Sequence, residues 1–203
     1  KYIEYSANIY AIYLKYFSKE DIHIYSIDEA FMDVSKYLNM YKLTPNELAR
    51  KIIKDIYSTY GITAAAGIGT NMYLAKIALD ITAKHSPSNI GILDEEKYKK
   101  GLWHHKPLTD FWQIGKGIER RLNKMRIFDM YDIAHSDQRK LYKEFGVNAE
   151  YLIDHSWGRE SCTIADIKAY KPKTTSVSNS QVLFEDYSFT KARLVLKEMV
   201  ELG

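Results

Sequence analysis

Two adjacent carboxylates, Asp28 and Glu29, interrupt a stretch whose other residues suit a β-hairpin. Ile22 and Ile24 stand before the pair and Phe31 stands after it, so we expect these flanks to be buried in a sheet. Carboxylates carried into such a sheet need a cation, a basic partner or water at its rim. Oxygen ligands suit a hard ion such as Mg²⁺, which keeps positions open for water and substrate phosphates. The pair therefore predicts a magnesium site, although acidic pairs in turns are also common as solvated surface features.

A second pattern combines glycine with positive charge at the predicted start of a helix. Gly115, Lys116 and Gly117 form this start, and Lys124 and Arg126 lie near the other end of the helix. Two glycines permit a tight turn whose amide N–H groups can bind a phosphate, with help from the lysine and the helix dipole. The pattern resembles the second half of a helix-hairpin-helix motif, which binds DNA backbones without sequence specificity. An ordinary turn between two helices is the alternative.

A lysine at the end of another predicted helix is the third candidate. Lys84 could reach a substrate phosphate, but a lysine at a helix C-terminus also interacts favourably with the helix dipole without any further role. Asp33 lies on the outgoing strand of the hairpin and is either a further metal ligand or the polar side of a half-buried strand. We favour the structural interpretation of Asp33.

Composition limits the classes of protein to which the chain can belong. It has 203 residues, of which 46% are apolar, enough for one large or two modest domains. No apolar run approaches the roughly 20 residues that span a bilayer, and the N-terminus lacks the pattern of a signal peptide, which predicts a cytoplasmic protein without a membrane partner. The single Cys162 disfavours redox chemistry as a function. The net charge is only +3, but residues 116–126 hold five basic side chains against one acidic side chain, as a phosphate-contacting surface would.

Periodicity predicts an α+β layer followed by a helical region. The elements predicted in the first part are a helix over residues 2–17, the carboxylate hairpin, a helix between Pro45 and Gly61, a strand around 62–68, a helix from Asn71 to about Lys84 and a strand over 89–93. Short helices follow from about Lys106 to Gly158. Residues 167–185 suggest a linker and then a strand, and a last helix runs from Thr190 to Leu202 with an apolar side that no later element covers.

Four segments together resemble one known family. YSIDEAFMDVS is similar to the catalytic hairpin of the Y-family translesion DNA polymerases of the DinB, UmuC and ImpB/MucB/SamB type, and GITAAAGIGTNMYLAKIALDITAK is similar to the palm strand and helix that follow it. DFWQIGKGIERRLNKMRIFDMYDIA resembles the thumb of that family, and KPKTTSVSNSQVLFEDY resembles the entry to its little finger. The branch of UmuC-like UV-damage-repair proteins from Gram-positive bacteria resembles the chain most.

The resemblance implies three domains. They are a partial palm of antiparallel sheet and packed helices over 1–105, a small all-α thumb with a helix-hairpin-helix over 106–166, and a linker with the β-α start of a truncated little finger over 167–203.

The resemblance also implies a chemistry and its partners. Two Mg²⁺ ions would support attack of the primer 3′-hydroxyl on an incoming deoxynucleoside triphosphate during DNA repair. Primer-template DNA would be the partner, and a sliding clamp is a further candidate partner. Asp28 and Glu29 would be catalytic metal ligands, and Lys84 would contact the triphosphate. The residues implied in DNA binding are Gly115, Lys116, Gly117, Lys124, Arg126, Lys173, Thr174, Ser176, Ser178 and Ser180.

One departure from the family bears on activity. Its members begin with a strand that carries another metal-binding Asp and then a fingers domain, and neither pattern precedes Lys1 in this sequence. We therefore expect a fragment with negligible polymerase activity of its own. A DNA-backbone-binding module without catalysis is the alternative function. A nucleotidyl cyclase is a second enzyme alternative, which the glycine turn and the lysine-rich tail disfavour.

Overall fold

The computed structural model describes residues 1–172, 174, 176, 178 and 180–201. The chain divides into two compact units, Lys1–Lys168 and Ala169–Gly203. None of the described helices is long and apolar enough to cross a membrane. The two-way division does not test the predicted boundaries at 105 and 166, so the palm, thumb and little-finger assignment stays a prediction.

The first unit begins with helices packed around a short hairpin. Its elements are α1 (Tyr2–Tyr13), β1 (Ile22–Ile24), β2 (Ala30–Met32), α2 (Ser35–Tyr41) and α3 (Pro45–Tyr60). Strands β1 and β2 pair antiparallel with His23 opposite Phe31, which confirms the predicted hairpin. The predicted ends of α3 are also present, since Thr44 and Glu47 form a capping box and Gly61 closes the helix with a φ of 66°.

Helix α1 differs from its prediction in length and in its buried face. The apolar stripe that starts at Ile3 predicts burial, yet Ile3 is 78% exposed and Leu14 is exposed too, while Ile12 is buried. Only the C-terminal half of α1 lies against the hydrophobic cluster of the hairpin and α3, where Ile9 and Tyr13 pack. Ile24, which was expected inside the sheet, is likewise exposed.

A strand, a helix and a second strand form the next layer. The elements are β3 (Ala66–Gly69), α4 (Met72–Ile77), a π-helical segment (Ala78–Thr82), a 3₁₀ turn (Ala83–His85) and β4 (Ile90–Leu93). Strands β3 and β4 are parallel, so the prediction of an antiparallel sheet is wrong for this pair. The reason is the helical crossover between them, which returns the chain to the same end of the sheet before the second strand begins.

Glycines let α4 and its π-helical extension lie directly on this sheet. A Cβ on Gly67 would stand 2.0 Å from the carbonyl oxygen of Ala75, and a Cβ on Gly91 would stand 2.2 Å from that of Ala78. No side chain fits at either position without moving backbone. The separation between helix and sheet is therefore set by glycine.

Helices α5 to α10 complete the first unit. They are α5 (Glu95–Leu102), α6 (Lys116–Lys124), α7 (Met130–His135), α8 (Gln138–Phe145), α9 (Asn148–Ser156) and α10 (Ile164–Ala169). One hydrophobic cluster joins α4 to these helices through buried side chains such as Tyr73, Tyr98 and Leu122. The cluster therefore fixes α4 through its buried side chains.

The second unit contains one long helix, α11 (Phe189–Glu201). The predicted last helix is thus confirmed, and Leu194 on its apolar side is exposed. The strand predicted before it is not found, because the described residues between 170 and 188 form neither helix nor strand. Positions 173, 175, 177 and 179 of that prediction lie outside the described residues.

Candidate active site

Asp28 and Glu29 lie in the turn of the β1–β2 hairpin. The carbonyl oxygen of Glu29 accepts hydrogen bonds from the backbone N–H groups of Tyr25 and Ser26, at 3.0 and 3.1 Å. The hydroxyl of Ser26 donates to Oδ1 of Asp28 at 2.7 Å. The side chain of Asp28 is exposed at the tip. The turn therefore presents the carboxylate of Asp28 to solvent, while its hydrogen bonds fix the backbone of Glu29.

The carboxylate of Glu29 is held by Lys76, a residue that the sequence did not suggest. Nζ of Lys76 donates to Oε1 of Glu29 at 2.7 Å and to Oδ1 of Asp80 at 3.1 Å. The side chain of Lys76 is only 10% exposed. A lysine inside the apolar run of α4, with an acid four residues later, was the only trace of this cluster in the sequence.

The ammonium group of Lys76 is charged at neutral pH. Burial alone would lower the pKa of Lys76, but the hydrogen bonds and charges of Glu29 and Asp80 outweigh burial and raise it. The ring of Tyr25 lies 5.8 Å from Nζ and adds a cation–π contact. A fixed positive charge therefore sits beside one of the two candidate metal ligands.

The donor chemistry of Asp28 and Glu29 fits a hard divalent cation. Both side chains offer carboxylate oxygens, and Glu29 already binds a positive charge in the form of the Lys76 ammonium. Within the part of the chain that the structure describes, no three His, Cys, Asp or Glu side chains gather as a complete ligand set. Asp33 is separate from the pair, since its Oδ1 accepts the backbone N–H of Ser35 at the start of α2.

An aromatic cavity borders the hairpin. It has a volume of about 590 Å³ and is lined by Tyr25, Phe31, Tyr73, Trp112, His155 and Glu160, among others. The indole N–H of Trp112 donates to the hydroxyl of Tyr25 at 2.9 Å. His155 stacks on Tyr73 with 3.9 Å between ring centroids and pairs with Glu160 at 3.0 Å. The segment before α6 is thereby joined to the carboxylate hairpin.

The glycine turn lies at the start of α6, as predicted. Gly115 is the N-cap residue with a φ of −86°, and a Cβ on Gly115 or on Gly117 would meet nothing within 4 Å. Backbone conformation therefore does not require glycine at either position. What the two glycines provide is an open surface at the exposed first turn of the helix, next to Lys116.

The other predicted site residues are more scattered. Lys124 and Arg126 are exposed at the end of α6, and Arg126 has a φ of 61°. Lys84 is exposed in the 3₁₀ turn after the π-helical segment and makes no ion pair with any described residue. Thr174, Ser176, Ser178 and Ser180 are exposed in the second unit, and Lys173 lies outside the described residues.

Comparison with known sequences finds DNA repair proteins. Residues 1–80 match the model of the impB/mucB/samB family. The chain is 32% identical over 202 residues to UvrX of Bacillus subtilis, which carries the name of a UV-damage repair protein, and the match covers 98% of this chain and 46% of UvrX. It is 33% identical over 156 residues to the DNA repair protein homolog YobH of Bacillus subtilis, covering 76% of this chain and 70% of YobH.

Comparison with solved structures agrees with these sequence matches. The chain superimposes on a DinB family error-prone DNA polymerase from Sulfolobus solfataricus with a TM-score of 0.64 and 30% sequence identity, over 78% of this chain and 46% of the polymerase. The chain thus spans about half the length of UvrX and of this polymerase.

Proposed function

The chain belongs to the impB/mucB/samB family, the Y family of DNA polymerases, and on this premise we propose that it supplies the catalytic hairpin and a DNA-binding turn for translesion synthesis. The reaction is template-directed nucleotidyl transfer from a deoxynucleoside triphosphate to a primer end. The observation that carries the proposal is the hairpin, which presents Asp28 at its tip and holds Glu29 against a charged lysine.

Asp28 and Glu29 would hold Mg²⁺ in this proposal. When bound there, the ion supplies positive charge for the reacting phosphates and favours loss of the proton from the primer hydroxyl. Before an ion binds, Ser26 orients Asp28 and Lys76 orients Glu29. The exposure of Asp28 leaves room for a triphosphate, and Lys84 is the proposed contact for that triphosphate.

The first turn of α6 would bind the DNA backbone. Its amide N–H groups lie at the positive end of the helix dipole, and Lys116 is exposed beside them. Lys124 and Arg126 add charge at the other end of α6. The further proposed contacts lie in the tail, namely Lys173, Thr174, Ser176, Ser178 and Ser180. Primer-template DNA and deoxynucleoside triphosphates are the proposed partners, and a sliding clamp is proposed as a partner of a whole polymerase of this family.

Primer extension with Mg²⁺ tests the hairpin. We expect any extension that the chain supports to be abolished by Asp28→Ala and by Glu29→Ala. Asp33→Ala is the matched control, because it removes a carboxylate from the same hairpin that lies outside the proposed site. Extension that persists in both site variants would show that the reacting metal is bound elsewhere.

A DNA-backbone-binding module without catalysis is the second candidate function. It is favoured by the absence of a complete metal-ligand set among the described side chains, whereas the turn at α6 needs no further group. DNA binding by a chain whose affinity for Mn²⁺ is unchanged by Asp28→Ala would support this candidate.

Salt-dependent DNA binding tests the turn. Replacing Lys116 and Lys124 together by Glu removes two candidate phosphate-binding groups. The decrease of the logarithm of the DNA-binding constant with the logarithm of the salt concentration should therefore become less steep, by about 0.9 for each phosphate that is no longer neutralised. Lys54→Glu is the control, because Lys54 is an exposed lysine of α3 outside the turn. Equal slopes for the double variant and the wild-type chain would contradict the proposed interface.

A further inference from the structure

One ammonium group lies between two carboxylates at the candidate active site. Nζ of Lys76 is 2.7 Å from Glu29 and 3.1 Å from Asp80. Glu29 lies on the hairpin and Lys76 on α4, while Asp80 lies on the π-helical segment that continues α4. Together they carry one negative charge in excess.

A single carboxylate would be enough to neutralise Lys76. The second carboxylate gives the ammonium an alternative partner four residues along its own helix, at nearly the same distance. Among the described residues, the only other group in contact with the ammonium is the uncharged ring of Tyr25. Lys76 can therefore leave Glu29 without losing its ion pair.

A divalent cation and the Lys76 ammonium compete for Glu29. A cation that binds the oxygens of Asp28 and Glu29 repels an ammonium already on Oε1 of Glu29. The repulsion is relieved when the ammonium shifts to Asp80, and the excess negative charge of the cluster then becomes available to the cation.

We propose that Lys76 is a positioning residue that exchanges between two partners: it holds Glu29 in place while no cation is bound, and it withdraws to Asp80 when a divalent cation binds Asp28 and Glu29. The inference rests on the proposed function, because it assumes the cation site at the hairpin. Asp80 is the residue that makes the exchange possible.

Mn²⁺ binding to the full chain, followed by the electron paramagnetic resonance of free Mn²⁺, tests the exchange without requiring catalysis. Asp80→Asn removes the charged alternative partner, so the ammonium stays on Glu29 and the affinity for Mn²⁺ should fall. We expect a loss of about tenfold, the size of one charge-assisted hydrogen bond. Lys76→Met removes the competitor, so the affinity should rise by a similar factor. Lys54→Met is the control for loss of an exposed lysine and should change nothing.

The double variant separates exchange from simple charge. If Asp80 acts through Lys76, Asp80→Asn should change the affinity for Mn²⁺ by less than about twofold in the Lys76→Met background. An equal loss in both backgrounds would mean that Asp80 acts only as a distant negative charge, and the exchange would be refuted. Should the Lys76→Met variant fail to fold, Asp80→Asn alone can still overturn the proposal, because an unchanged Mn²⁺ affinity contradicts it.

The same titrations distinguish failure of the inference from failure of the proposed function. If Asp28→Ala leaves Mn²⁺ binding intact, the hairpin is not the cation site and both proposals fall. If Asp28→Ala abolishes binding while Asp80→Asn does not weaken it, the cation site stands and only the exchange is wrong.

Discussion

Replacing Gly67 by alanine should destabilise the chain more than its single added methyl group suggests. The new Cβ would stand 2.0 Å from the carbonyl oxygen of Ala75 and 2.4 Å from the backbone nitrogen of Leu79. Real Cβ contacts are at least 3.0 Å, so α4 and β3 must separate by about 1 Å. Both of the nearest atoms belong to backbone, and neither can be relieved by a side-chain rotation.

The magnitude follows from the environment of α4. Tyr73, Leu74 and Ile77 are fully buried on the same helix, so a shift of α4 disturbs the whole hydrophobic cluster around it. Overpacking of cores typically costs 1–3 kcal/mol, and we expect a loss at the upper end of that range, about 3 kcal/mol.

Urea unfolding followed by circular dichroism measures the loss. Gly101→Ala is the matched control, because Gly101 lies within α5 and a Cβ there meets nothing within 4 Å. The control should gain up to about 1 kcal/mol from higher helix propensity. A loss below about 1 kcal/mol for Gly67→Ala would refute the conclusion that glycine sets the distance between helix and sheet.

Three further outcomes are expected. Thr44→Ala should lower the unfolding free energy by about 1 kcal/mol in a thermal melt, because it removes the hydroxyl that accepts the N–H of Glu47 in the capping box of α3; an unchanged melting temperature would contradict this. Burial lowers the pKa of His155, although Glu160 opposes the shift. The folded chain therefore binds fewer protons at this histidine than the unfolded chain, and the free energy of unfolding should fall as the pH drops from about 7.5 to about 5.5. His155→Phe should flatten that dependence in urea titrations at each pH, and a parallel curve for this variant would argue against His155 as its source. Trp112→Phe and Tyr25→Phe should each lower the free energy of unfolding by about 1 kcal/mol. The double variant should lose little more than either single variant, because both substitutions remove the same hydrogen bond. Fully additive losses would show that this bond contributes nothing to stability.

Local residue patterns were sufficient for the hairpin and for the ends of α3. The apolar flanks of Asp28 and Glu29, and Pro45 and Gly61 at the two ends of α3, act over a few residues, so they can be recognised without knowing the fold. The start of α6 was predictable for the same reason.

Contacts between distant segments were not predictable in this way. Lys76 meets Glu29 across 47 positions of sequence, so the contact forms only when α4 and the hairpin have packed together. The exposure of Ile3 was missed because a periodic stripe shows which residues share a helix face but not how much of that face meets a neighbour. The parallel pairing of β3 and β4 follows from the helical crossover between them, and the antiparallel sheet that the family resemblance implied does not apply to this pair.

The candidate active site lies where two separate hydrophobic clusters of the first unit adjoin. The hairpin packs on the cluster of α1 and α3, while Lys76 and Trp112 belong to segments packed in the larger cluster. The Glu29–Lys76 ion pair and the Tyr25–Trp112 hydrogen bond cross from one cluster to the other. Local opening of either cluster would break both contacts. The arrangement of the candidate site is therefore only as persistent as the less stable of the two clusters.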